Sequence, residues 1–580
     1  TIVADNLAVG ASTGSNAFNV ALNNIASAAG TTTISSGATF YNTGTLRLGD
    51  NYNDIFNFLG GVTANASSAI SVNASQINST AAAISLNAPV TFENSVTLSP
   101  GVGRITLGAA IVNPGATLTL GAGAATPMTL SSISGTSGVK SNITINTTDT
   151  VSVSGAIGTN IGTLTVTNSG GITFSGTVGS SADRITSLAI TSGTGVIEFA
   201  NDLYAGAMSN AGGSSEIKFY GTTTDITSAV TLNTTGAVYY GDATSDVLTF
   251  ARGITHNTGD NILLGTFTAA NPSTCVAGTS CSFNLGGTTT FLSSNSIFDF
   301  GTSPITLNNV LLGNGVTLYL GGGSSGSITV ASITGTAGGS ASNVVINTSG
   351  AVSVTGVIGT DIGTLTITNA GGATFGGAVT ASTVALTSAT GTIAFNDVLT
   401  ANTLSTTSSA YSVAINASGS AITNAVTFSN TGTVSLGSSG GTQTYTGAVT
   451  LAADTSLTAT NITFSSTVDS NATTAQFLNL VNSGAATFTG IVGGSYPLAT
   501  FTIGGDASLG ASVTTIGTQV YNANLTVTGA AVTLNANNSP ITVLGNIAGS
   551  GGGGVTYSYL TGTTWTTTQN GSNPYLISLN

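Results

Sequence analysis

Charge is what this sequence has least of. Of its 580 residues only 4% are Asp, Glu, Lys or Arg, where about a quarter is usual in soluble domains. The six basic residues, Arg47, Arg104, Lys140, Arg184, Lys218 and Arg252, are scattered and make no basic patch. That argues against nucleic acid or an anionic membrane surface as a partner. With 19 acidic residues the formal net charge is −13. Catalytic residue types are equally scarce. The single histidine, His256, lies in RGITHNTGD and reads as an exposed turn residue. No G-x-S-x-G elbow sits in a strand–turn–helix setting, so nucleophilic hydrolysis has no visible machinery. A sugar-cleaving enzyme needs clustered carboxylates, and none stand out. No apolar run approaches the roughly 18 residues of a membrane helix. Thr1 is followed by neither a charged start nor an apolar core, so no signal peptide is indicated.

Thr, Ser, Gly, Ala and Asn fill the space left by charge, with 41% hydrophobic residues. Val, Ile and Thr are common and strong polar helix formers are rare, which favours strands joined by Gly, Asn and Ser turns. The apolar fraction is too high for a solvated coil.

The sequence also repeats itself. Residues 154–178 and 355–379 are identical at 17 of 25 positions, at an offset of 201, and a weaker copy starts at Phe477 and runs to 494. Smaller units recur inside these copies. Ile172-Thr-Phe174, Ile197-Glu-Phe199, Ile217-Lys-Phe219 and Val238-Tyr-Tyr240 each read apolar–polar–apolar, with steps of 25, 20 and 21. Period two marks a strand with one buried face. A strand pattern recurring every 20–25 residues predicts the coils of a β-solenoid, in which each coil buries its apolar face only by stacking on the next. The expected core stack is Ile172, Phe174, Ile197, Phe199, Ile217 and Phe219, with Glu198 and Lys218 at one outward position of successive coils. The alternative is a string of β-sandwich domains. The expected organisation is a β-rich capping region over 1–100, the solenoid over 101–550, and a C-terminal segment over 551–580. That last segment carries Tyr557, Tyr559, Trp565, Tyr575 and Leu576. It reads either as a cap over the last coil or as a docking segment for a neighbouring subunit.

Two local features suggest chemistry. LGDNYNDIF brings Asp50, Asn51, Asn53 and Asp54 together, and GDATSD brings Asp242 and Asp246. Oxygen clusters suit calcium, but no EF-hand or Gly-Gly-x-Gly-x-Asp spacing is present, and acidic turn caps explain them as well. No other metal or cofactor is indicated. Cys275 and Cys281 lie in NPSTCVAGTSCSF. They read as a surface excursion closed by a disulfide, with a free-thiol pair as the alternative. Asn-x-Ser/Thr sequences, as at Asn65, Asn142 and Asn461, are expected by chance in such a composition.

TNSGGITFSGTVG, GGTQTYTGAVTLAADTSLTAT (440–460) and GTQVYNANLTVTGAAVTLNA (517–536) resemble repeats of large secreted bacterial β-strand-repeat proteins. These include filamentous-haemagglutinin-like adhesins and autotransporter passengers such as the large rickettsial surface proteins. The resemblance covers roughly residues 90–545 and rests on composition and rhythm. It implies a right-handed parallel β-helix at a bacterial surface, non-enzymatic, acting in adhesion or as a surface layer. Self-association into fibres or layers is expected, with host-surface or matrix glycans as further partners. The chain departs from that pattern in showing neither a C-terminal membrane barrel nor a recognisable N-terminal secretion domain. A polysaccharide-processing β-helix enzyme is the alternative.

Overall fold

The computed structural model describes the chain apart from residues 1, 12–15, 23–28, 265–281, 324, 418–419, 425, 431, 433, 437–441, 446, 452–453, 530, 550–554, 559–577 and 580. Two compact units are formed, Thr1–Phe300 and Gly301–Asn580. Both are all-β among the described residues, and no helix is long and apolar enough to cross a membrane. Strands of mostly three to eight residues pair in parallel with strands one coil away. The fold is a β-solenoid. Tandem sandwiches, whose sheets are antiparallel, do not account for it.

Each coil feeds several ladders. In the first unit Val151, Ile172 and Ile197 are successive partners, as are Ile143, Leu164 and Leu188. A third line of bridges joins Ile133, Ile157, Val178 and Leu203. Most steps are 20–25 residues. The shortest described is 17 (Leu498 to Thr515) and the longest 31 (Asn6 to Gly37), while the step from Ile254 to Phe283, which spans residues 265–281, is 29. Within residues 1–100, expected as a β-rich capping region, strands also pair in parallel from coil to coil, and Ile84 pairs with Ile105 of the next coil. At the other end Leu534 pairs with Tyr557, and Tyr557 with Leu579.

The period-two triplets explain the packing. Ile172, Phe174, Ile197, Phe199, Ile217 and Phe219 are all at most 1% exposed. Phe174, Phe199 and Phe219 align in register, with ring centroids 5.1 and 5.7 Å apart and nearly parallel planes. Tyr240 continues the column at 6.1 Å. In the second unit Phe375 and Phe395 stack at 5.0 Å, as do Tyr445, Phe464 and Phe488 at 5.2 and 5.1 Å. Outward amides form the matching polar columns. Asn78 donates to Asn57 at 3.0 Å, Asn94 to Asn73 at 2.6 Å and Asn416 to Asn396 at 2.8 Å.

The duplication is longer than the quoted copies. Left-handed glycines recur at a fixed offset. Gly101, Gly115, Gly121 and Gly123 have φ of 61, 74, 80 and 87°, and Gly301, Gly315, Gly321 and Gly323 have 62, 69, 81 and 92°. At Gly121 a Cβ would lie 2.3 Å from the Asn146 carbonyl, and at Gly321 2.4 Å from that of Asn347. The same corners therefore require glycine for the same reason, positive φ and close backbone approach. The second unit thus opens on the second copy.

Phe199→Ala removes a ring packed between two others, with no side chain free to fill the space. Unfolding in denaturant should show a loss of about 3–5 kcal/mol, against about 0–0.5 kcal/mol for the outward substitution Thr173→Ala.

Candidate functional site

Parallel in-register stacking decides where the few charges go. Arg47 is in register with Ser71 one coil on and reaches Glu93 a further coil away. Its guanidinium donates to both Glu93 oxygens, at 2.6 and 2.9 Å, and the Ser71 hydroxyl donates to the same carboxylate. Burial pushes the Glu93 carboxyl up, but the Arg47 and Ser71 hydrogen bonds outweigh it and hold it below its ordinary value. Lys140 donates to Asp183 Oδ1 at 2.6 Å and to the Arg184 carbonyl at 2.5 Å. The Asn160 N–H donates to Asp183 Oδ2 at 2.7 Å. The Lys140 bond first, and the Asn160 bond second, lower the Asp183 pKa. Arg184 in turn pairs with Asp225 at 2.5 Å and lies 5.7 Å over the Tyr204 ring.

Glu198 and Lys218 are register partners. The ion pair of Lys218, however, is with Glu216 at 3.5 Å, and its ammonium lies 5.0 Å from the Tyr239 ring centre and 5.8 Å from that of Tyr220. Direct register thus places Glu198 beside the lysine, while the neighbouring aromatic faces draw the ammonium sideways. Burial, and then the charges of Tyr239, Glu198, Asp242 and Glu216, push the Tyr220 hydroxyl up to about 12.

Of the calcium candidates, Asp54 and Asp246 accept N–H groups from nearby backbone. Asp54 Oδ2 accepts the N–H groups of Asp50 and Asn51, both at 3.1 Å, and Oδ1 accepts that of Gly30 at 2.8 Å. Asp246 Oδ2 accepts the N–H groups of Asp242 and Ala243, both at 2.8 Å. Asp54 and Asp246 thus each accept N–H groups in the manner of an acidic turn cap. Asp242 has its pKa raised by burial and then by Asp246. No group of three or more His, Cys, Asp or Glu side chains is placed to hold a metal among the described residues.

His256, expected on an exposed turn, is instead fully buried at 0% exposure. Its Nε2 lies 3.1 Å from the Thr234 carbonyl and its Nδ1 2.9 Å from the Asn261 side-chain oxygen. A neutral imidazole has one donor and one acceptor. Both are met when Nε2–H donates to Thr234 and the Asn261 amide nitrogen, otherwise without a partner, turns to Nδ1. The ring is a corner pin closed off from solvent. Cys275 and Cys281 lie outside the described residues. So do Tyr559, Trp565, Tyr575 and Leu576, while the backbone of Tyr557 lies in a strand, Val555–Ser558.

Two features escaped sequence reading. All six basic residues and His256 precede residue 257, so residues 301–580 contain no Lys, Arg or His. The five acids of that stretch each accept a backbone N–H: Asp361 from Gly338, Asp397 from Val398, Asp454 from Phe477, Asp469 from Ser495 and Asp506 from Asn524. The second feature is a groove of about 290 Å³ in the second unit, beside Asp361, Thr380, Ser382 and Asn402. Aligning the two copies residue by residue would have exposed it, because the copies differ in charge at that corner.

No protein-family model matches the chain, no curated protein is significantly similar to it, and no solved structure matches it.

Asp54→Ala leaves three N–H groups without an acceptor and should cost about 1–3 kcal/mol, equally with and without calcium in a thermal melt. Lys140→Ala should cost about 1 kcal/mol at neutral pH. The folded pKa of Asp183 is depressed, so its contribution is present above the ordinary carboxylate value of about 3.9 and is lost as pH falls through the folded value. Melts of wild type and Lys140→Ala should therefore converge in acid.

Proposed function

We propose that this chain is a non-enzymatic structural protein of a bacterial surface, working outside the cell as a spacer, an adhesin or a building block of a filament, sheath or surface layer. The observation that carries the reading is the use of the outward positions. Successive coils present short hydroxyl and amide side chains in register, as in Thr306, Thr329, Ser353 and Thr374. Most ionised side chains are taken up by coil-to-coil pairs and backbone caps. Acid–base cleavage of a sugar needs two free carboxyl groups facing each other across a cleft. Here Asp54 and Asp246, each four residues after another aspartate, spend a carboxylate oxygen on N–H groups of their own loops. The rhythm shared with secreted bacterial repeat proteins supports the extracellular setting. Hydroxyl and amide columns also suit self-association and contact with surface glycans, since both can be met by hydrogen bonds without moving a charge.

Electron microscopy of the purified chain should show fibres or sheets whose formation does not depend on calcium. In parallel, the protein is incubated with neutral and acidic polysaccharides and new reducing or unsaturated ends are measured. Chain cleavage above background would replace this reading with the enzymatic one.

A further inference from the structure

The two copies of the repeat build one corner in two ways. In the first, Val178 is followed by Leu203 on the same ladder, a coil of 25 residues. In the second, Val379 pairs with Leu399, a coil of 20. The five extra residues of the first copy fall within 179–184, and Lys140 fastens them through Asp183 and the Arg184 carbonyl. Two backbone hydrogen bonds of the corner recur in both copies, although Thr360 is left-handed and its counterpart Thr159 is not. Gly135 N–H donates to the Thr159 carbonyl at 2.8 Å and Gly335 N–H to that of Thr360 at 2.7 Å. Ser141 N–H donates to the Asn160 carbonyl at 2.9 Å and Ser342 N–H to that of Asp361 at 2.8 Å. The offset of 201 places Ala341 where Lys140 stands and Asp361 where Asn160 stands. The second copy therefore lacks the extra segment and its cation, and carries a carboxylate in place of an amide. What remains is the open groove, with Ala381 and Ala401 in its floor and Thr360, Thr380, Ser382 and Asn402 around it.

We propose that this groove binds an extended peptide segment of about five residues carrying a lysine or arginine, its cation set against Asp361. Shape supports this, because the matching corner is filled by polypeptide of that length. Charge supports it too. The groove has an anion where its counterpart has an amide, and residues 301–580 hold no cation that could serve it from within. The hydroxyls and amide at the rim suit a peptide backbone, which needs donors and acceptors along its length. Thr360 and Asp361 are both left-handed, at φ 52 and 54°, a conformation that a β-branched residue rarely adopts. Such strain persists where the surrounding structure fixes it. The proposal goes beyond the structural role above and does not depend on it.

The test uses the full chain and a fluorescent peptide, Gly-Ser-Ser-Ala-Lys-Arg-Ile, which is residues 179–185, the inserted segment and its flank, with lysine in place of Asp183. Anisotropy should show saturable binding that Asp361→Asn weakens about fivefold, the scale of a partly exposed charge pair. That variant restores the first copy's residue, tolerates the left-handed turn and keeps an acceptor for Gly338. Ala341→Lys supplies the ammonium from within and should abolish binding. Absence of saturable binding overturns the proposal. So does equal binding by wild type and both variants, or equal binding of a peptide with Glu-Ser in place of Lys-Arg.

Discussion

Everything in this molecule depends on one constraint: a coil of about 20 residues cannot bury its own apolar face. The next coil must do it, residue over residue, at a strand spacing of about 4.8 Å. Inside, this selects one apolar residue above another, as in the columns through Phe199 and Phe464. Outside, it selects side chains that tolerate their own kind as neighbours. Two like charges about 5 Å apart repel by roughly 1 kcal/mol even in water, and by several at the lower effective dielectric of a protein surface. Hydroxyls and amides at that distance attract. The scarcity of charge is thus a consequence of the stacking, repeated at every step.

The same constraint explains how much the sequence disclosed. The apolar–polar–apolar triplets are local, so their strands, their inward faces and the register of Phe174, Phe199 and Phe219 were legible without coordinates. The three-ladder layout was less so, because some ladders rest on single bridges, such as those of Ile157 and Val178. The polar corners were not legible. His256 sits in a Gly/Asn turn that reads as exposed, and only the Thr234 carbonyl, 22 residues earlier, gives its ring a buried partner. The partner of Lys140 is 43 residues away and that of Arg47 is 46 away. Two coils separate these groups in sequence, while the fold brings them into contact. For the acidic loops the local pattern allowed both a cation and a cap. The structure adds the direction of the backbone N–H groups at Asp54 and Asp246, which composition does not encode.

The two units solve the problem of the remaining carboxylates differently. In the first, cations bridge from coil to coil, and aromatic faces share the load at Lys218 and Arg184. In the second there are no cations, and each carboxylate takes a backbone N–H. Hydrogen bonds to an ionised acceptor are about twice as strong as neutral ones, and the peptide donor is already fixed by the coil, so no long side chain must be ordered to make them. This arrangement is also less sensitive to salt than an exposed ion pair, which is screened over about 8–10 Å. It carries one consequence for recognition. A backbone N–H satisfies part of a carboxylate but does not neutralise it. The second unit therefore presents net negative charge from Asp361, Asp397, Asp454, Asp469 and Asp506 with nothing of its own to balance it, and any counter-charge must come from solution or from a partner.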